Sequence, residues 1–156
     1  MRRFLSLLGA LTLIAVVAVG IGVVVLVYKG NALDSESKAF VDSAVPAIVA
    51  NWSKAQLLDR ASPELRHSLE PGQLTALFDK LSRLGPLVEY EGAKGQSTIS
   101  YFTGSGGSIS AFYVAKARFK NGSATFRILL TKRPGRWTIQ GFHVDPAPSG
   151  QTGKAA

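Results

Sequence analysis

Cysteine is absent from the 156 residues, and methionine occurs once, at the first position. With no thiol there can be no disulfide, no thiolate nucleophile or metal ligand, and no lipid attached through sulfur. Histidine occurs only at His67 and His143. Two imidazoles so far apart, with no carboxylate pattern around either, do not make a metal site, and no metal or other cofactor is expected. Acidic residues are unevenly placed: between Glu91 and Asp145 there is neither Asp nor Glu. Strands encoded by that stretch cannot supply a carboxylate base. Charge of either sign is missing from Phe4 to Tyr28, FLSLLGALTLIAVVAVGIGVVVLVY.

That last absence points to a location. A helix of about 20 apolar residues crosses a hydrocarbon core of about 30 Å, and tilt absorbs a somewhat longer run. Arg2 and Arg3 precede the run and Lys29 follows it, which puts the N-terminus in the cytoplasm by the positive-inside rule. A cleaved signal peptide shares the basic start, but its apolar region is usually shorter, about 7–15 residues. Here the run continues through Val23 to Val27, and the plausible cleavage site, Gly30-Asn31-Ala32, lies beyond it. The expectation is a signal anchor over residues 4–28 in a bacterial inner membrane, behind a stub of residues 1–3. The rest of the chain would then lie on the periplasmic or extracytoplasmic side.

The remaining chain suits one domain. Residues 29–34 read as a juxtamembrane hinge, with Asp34 or Ser35 capping the first helix. Phe40, Val41, Ala44, Val45, Ile48, Val49 and Trp52 then mark one helical face. Pro46 within it should loosen or kink a turn. Ser62-Pro63-Glu64 starts a short second helix to about Leu69, and Pro71 starts a third to Leu84, stopped by Gly85-Pro86. After Pro86 the period falls to two. Leu87–Glu91 and Thr98–Thr103 read as separate short strands, with Gly104–Ser108 a flexible loop. Ser110–Lys120 and Ser123–Lys132 read as a hairpin about a type I′ turn at Asn121-Gly122. Pro134-Gly135 turns the chain into Arg136–Val144, which Pro146-Ala147-Pro148 ends, and residues 147–156 read as a disordered tail.

Alternation sorts the hairpin into two faces. Tyr113, Ala115, Ala117 and Phe119 fall on one face, and Phe126, Ile128 and Leu130 continue it on the next strand. Lys116, Arg118, Lys120, Arg127 and Arg133 fall on the other, a basic, wetted surface. Helices followed by a run of antiparallel strands predict an α+β domain at residues 35–146. Removing Arg2 and Arg3 leaves 16 basic residues against 10 acidic, a net charge of +6, with the excess in the sheet half. Such a face suits anionic lipid headgroups or an acidic protein partner, or simply keeps sheet edges soluble. An extracytoplasmic location leaves nucleic acid out.

Three helices followed by FYVAKARFKNGSATFRILLTKRPGRWTIQGFHVDP resemble the cystatin-like cone of the nuclear-transport-factor-two-like superfamily. The nearest likeness is to its small membrane-anchored bacterial envelope proteins. The resemblance runs from about Ser35 to Pro146 and rests on Phe119–Gly122, the apolar strand after it, and Trp137-x-Ile139-x-Gly141-Phe142. It implies a curved antiparallel sheet of about four strands wrapped round three helices, a conical pocket between them, and frequent dimerisation through the outer sheet face. It does not imply one function, because this superfold hosts isomerases, dehydratases, secretion-system scaffolds and binding modules.

Enzymes of that superfamily resembling ketosteroid isomerase need a carboxylate base in the pocket, which this stretch lacks. His143 is the stand-in candidate for catalysis. Tyr90, Tyr101, Trp137 and His143 are the candidates to line a ligand pocket, although strand aromatics more often form core. GSGGS precedes no helix and cradles no phosphate, and Gly153-Lys154 lacks the upstream glycine of a P-loop. The two matches to the glycosylation sequon, at Asn51 and Asn121, fall on a helix and a turn and are set aside. The expected function is a non-catalytic binding or accessory module of the envelope, for a membrane partner or a small ligand. The alternatives are an isomerase- or dehydratase-like pocket enzyme using His143 with a tyrosine, and a scaffold subunit of an envelope or secretion assembly.

Overall fold

A computed structural model of the chain describes Val19, Ile21, residues 30–102 and residues 106–149, excepting the side chains at 101, 102, 106 and 148. The chain divides into two compact units, Met1–Leu33 and Asp34–Ala156. Of the first, Val19 and Ile21 are helical and exposed, and residues 30–33 are helical. Apart from Val19 and Ile21, the expected span at Phe4–Tyr28 lies outside the described residues. Among the described residues no helix is long and apolar enough to cross a membrane.

The second unit is α+β, with helices first and then a four-stranded antiparallel sheet in the order β1-β2-β3-β4. The helices are α1 (30–49, of which 34–49 belong to this unit), α2 (Lys54–Arg60), α3 (Pro63–Ser68) and α4 (Pro71–Leu81), followed by a 3-10 turn at Ser82–Leu84. The strands are β1 (Leu87–Phe102), β2 (Gly106–Phe119), β3 (Gly122–Arg133) and β4 (Arg136–Pro148).

In α1 the apolar stripe is buried as its spacing predicts, from Val41 to Trp52. Two details differ from expectation. Residues 30–34 are helical, so neither Asp34 nor Ser35 is a cap, and Pro46 sits inside a helix that continues to residue 49. The helix ends where Trp52 adopts a left-handed φ of 48° and the Ser53 N–H donates back to Ile48 O at 2.8 Å. That is the geometry usually given to glycine after a helix. Tryptophan takes it because its ring anchors the core, stacked on Phe119 at 5.4 Å and edge-on to Phe78 at 5.8 Å.

Helix α2 is absent from the sequence reading. Its signal was Ser53, whose side chain accepts from Gln56 N. Ser62 caps α3, accepting from Leu65 N, and Pro63 opens it as expected. Gly85 closes the helical half with a φ of 81°.

The sheet is longer than the sequence suggests. The two short strands expected before Gly104 are one 16-residue strand, β1. Gly92, with a φ of 90°, and the register shift beside it form a bulge that bends β1 without ending it. Gly95 continues it, since a Cβ there would lie 1.9 Å from Phe112 O. The expected loop is partly strand too, because β2 begins at Gly106, while residues 103–105 lie outside the described set. The β2–β3 hairpin forms, but Phe119 pairs with Gly122, so Lys120 and Asn121 make the turn. Neither has a positive φ, and the type I′ turn expected at Asn121-Gly122 is not the one adopted. Pro134-Gly135 does turn β3 into β4, with Gly135 at φ 83°. Strand β4 runs on through Pro146, which an edge strand tolerates because its outer N–H groups pair with no neighbour.

Candidate functional site: the outer face of the sheet

Inward residues of the sheet are core. Tyr113, Ala115 and Ala117 of β2 and Phe126, Ile128 and Leu130 of β3 are buried, as alternation predicts. Trp52 reaches Phe126 with ring centroids 6.4 Å apart, and Phe142 of β4 closes on Phe126 at 5.8 Å.

Outward residues stack in rows across the strands. Phe112 of β2, Leu129 of β3 and Gly141 of β4 share one row, flanked by Gln96 of β1. Lys94, Val114, Arg127 and His143 form the next row, and Lys116, Thr125 and Asp145 the one after. In the first row Phe112 is 50% exposed and Leu129 39%. Beside them Gly141 has no side chain, which leaves a notch. A shallow cleft of about 330 Å³ opens there, lined by Phe112, Arg127, Leu129, Gly141, Phe142 and His143. Two large apolar side chains presented to water from the middle of a sheet, next to a cleft, are the most distinctive feature of this surface.

The basic residues of the sheet are largely balanced in charge. Arg118 is paired with Glu89, and Glu91 lies 3.8 Å from its Nε. Arg127 pairs with Asp145 at 2.7 Å, and Arg133 pairs with Glu64. Of the five basic residues expected there, only Lys116 and Lys120 are outside these ion pairs. Burial nudges the Asp145 carboxyl upward, but Arg127 and His143 outweigh it and hold it below the usual carboxylate range.

The four pocket candidates do not converge. His143 is on the outer face with its side chain 63% exposed, and its Nε2 lies 3.0 Å from Asp145 Oδ1. Tyr90 is half-buried on β1, its phenol donating to Asp42 Oδ1 at 2.8 Å. Burial and the Asp42 charge together push that phenol well above its ordinary range, which keeps it protonated. Trp137 is buried at the start of β4, with Lys132 Nζ 5.3 Å from its ring centre. Strands β1 and β4 are opposite edges of the sheet, so Tyr90 cannot share a pocket with His143. Trp137 is on β4 with His143 but is buried in the core, whereas His143 is exposed on the outer face. The side chain of Tyr101 lies outside the described residues. His67 is exposed on α3 and its Nδ1 is 2.7 Å from Pro63 O.

No family model, curated protein or solved structure matches the chain. Among the described residues no group of three or more His, Asp or Glu side chains could hold a metal.

A second concavity lies on the helical side, about 640 Å³, where Leu58, Leu69, Pro71 and Leu74 form an apolar floor between α2, α3 and α4. Lys54 and Arg66 stand at its rim with Asp59. The sequence reading missed it because it depends on α2. It missed the Phe112–Leu129 row for another reason. Ala111 to Ala115 is apolar on both parities, and only the inward set was read as meaningful. A strand apolar on both faces but covered on one was the available signal.

Proposed function

We propose that this chain is a single-pass membrane protein whose α+β domain, of the cystatin-like cone type, is a non-catalytic docking module for a protein partner. The apolar run Phe4–Tyr28 supports the membrane part. One observation carries the docking part: Phe112 and Leu129 are exposed side by side on a sheet face whose neighbouring arginines are already neutralised. An apolar centre inside a rim of paired charge is the usual anatomy of a protein-binding patch. It favours a partner that supplies apolar contact over one attracted by net positive charge.

The pocket-enzyme alternative needs His143 enclosed with a tyrosine, whereas its ring is in solvent beside Asp145 and Arg127. The test is a paired surface change, Phe112→Glu with Leu129→Lys, in the full chain in native membranes. Solubilised wild type is expected to migrate as a complex heavier than the chain, and the variant as the lone chain with an unchanged melting temperature. Identical migration of the two would overturn the assignment of this face.

The apolar floor with Lys54 and Arg66 at its rim favours a second reading, uptake of an amphipathic anion such as a fatty acid. Native mass spectrometry of the detergent-exchanged chain with added palmitate tests it. A bound species lost in Arg66→Glu supports it, and no bound species counts against it.

A further inference from the structure

Near its free end the β1–β2 hairpin runs on without a third strand. The last β2–β3 pair is Ser110↔Thr131, and four β1–β2 pairs lie beyond it, from Ile99↔Ile109 to Phe102↔Gly106. A two-stranded ribbon in water usually protects its edges with charge. This one has none: from Gly95 to Ala115 no residue is charged. The ribbon carries Ile99, Tyr101, Phe102 and Ile109 among glycines and serines, and Ile99 is 38% exposed.

The ribbon also lies at a particular end of the domain. The carboxylate of Asp34, the first residue of the domain unit, accepts from Ser97 N at 2.6 Å and from the Ser97 hydroxyl. Tyr113 OH of β2 donates to Asp34 O at 3.1 Å. The domain's own N-terminus is therefore clamped at the root of the ribbon. The apolar run ends at Tyr28, and six chain steps from there to Asp34 reach at most about 22 Å even fully extended.

We infer that residues 98–102 and 106–110 form an arm that rests in the headgroup layer of the bilayer holding the anchor. This rests on the membrane reading above and adds a surface of contact to it. Absence of charge removes the main cost of leaving bulk water. Unpaired N–H and C=O groups along the ribbon edges keep it out of the hydrocarbon, where nothing would satisfy them. Arg136, exposed at the start of β4 beside the β3–β4 turn, is placed at the same end to meet phosphate oxygens. Lys120, in the β2–β3 turn, is nine residues along β2 from Ala111 and so about 30 Å from this end. Its charge belongs to the opposite pole.

The chain has no cysteine, so single labels are clean. Ile99→Cys, Ser108→Cys and, as control, Lys120→Cys would each carry a nitrobenzoxadiazole dye in the full chain. The three are reconstituted into phosphatidylcholine–phosphatidylglycerol vesicles containing headgroup-proximal spin-labelled lipid. Quenching at 99 and 108 is expected to exceed that at 120 by about threefold or more, as an interfacial arm requires. Ser108→Cys supplies the readout if Ile99→Cys folds poorly. Equal quenching at all three sites, in protein that resists alkaline carbonate extraction, overturns the arm alone. Release of the protein by carbonate overturns the anchor, and the arm with it.

Discussion

Asp42 shows how single side chains join the helices to the sheet. Its carboxylate accepts from Tyr90 OH at 2.8 Å, Ala93 N at 3.1 Å and Lys38 Nζ at 2.5 Å. Asp34 does the same for Ser97, and Ser37 meets Tyr113 OH at 2.8 Å. Two of these bonds go to backbone N–H groups of edge strand β1, so the carboxylates of α1 close an edge that would otherwise be open. Asp42→Ala should cost about 1–2 kcal/mol, hydrogen bonds to a charged acceptor discounted for partial exposure. Urea unfolding, followed by circular dichroism, would measure it. The pH dependence follows from the same carboxylates. Burial raises the Asp42 carboxyl, but Lys38, Tyr90 and Ala93 N–H together bring it below its ordinary 3.8. Arg133 foremost, then backbone N–H and Ser62, lowers Glu64 from 4.5 to about 2. Both pKa values are depressed on folding, so their stabilisation is complete above the ordinary values and is lost as pH falls through the folded ones. The urea midpoint should hold from neutrality to about pH 5 and decline from about pH 4.5 to 2. Asp42→Asn with Glu64→Gln should flatten that decline.

At the scale of elements, glycines decide what the sheet does. Gly95→Ala should destabilise by about 2 kcal/mol or more, because its Cβ would meet backbone at Phe112 O and nothing flexible can yield. Gly141→Ala should cost less than about 1 kcal/mol, since the nearest atom is Leu129 Cβ at 3.4 Å. Thermal unfolding of the pair separates the two. Ser62→Ala should cost about 1 kcal/mol by removing the α3 cap, whose oxygen accepts from Leu65 N at 3.2 Å. These positions also show what the sequence made legible. The buried stripe of α1, the Ser62 cap, the Gly85 and Gly135 turns and the inward β2–β3 parity all follow from local rules, and they hold. What local rules missed was tertiary. Residues 92–97 fall between the two short strands expected, yet Gly92 is a bulge within β1 and Gly95 a close approach to β2. Asn121-Gly122 read as the turn, but Lys120 N bonds to Pro86 O and Asn121 N to Leu84 O, and these contacts shift the turn by one residue. Of the candidate site, the basic positions were legible, and the acids that neutralise them were not. Glu89, Glu64 and Asp145 come from three different elements, brought alongside only by folding.

On the scale of the whole molecule, the two proposed contacts, with a bilayer and with a protein partner, fall on different surfaces of the domain. The end that carries Asp34 bears the uncharged ribbon, and the outer sheet face bears the Phe112–Leu129 row between paired arginines. The first concerns where the protein sits, the second what it holds. The central claim concerns the second, and site-specific photo-crosslinking in intact cells tests it most directly. A benzophenone side chain would be placed at Leu129 of the full chain, with exposed Gln73 on α4 as control. The account predicts one discrete adduct from position 129, none from position 73, and loss of the adduct when Phe112→Glu is added. No adduct at 129, or the same adducts from both positions, would contradict it.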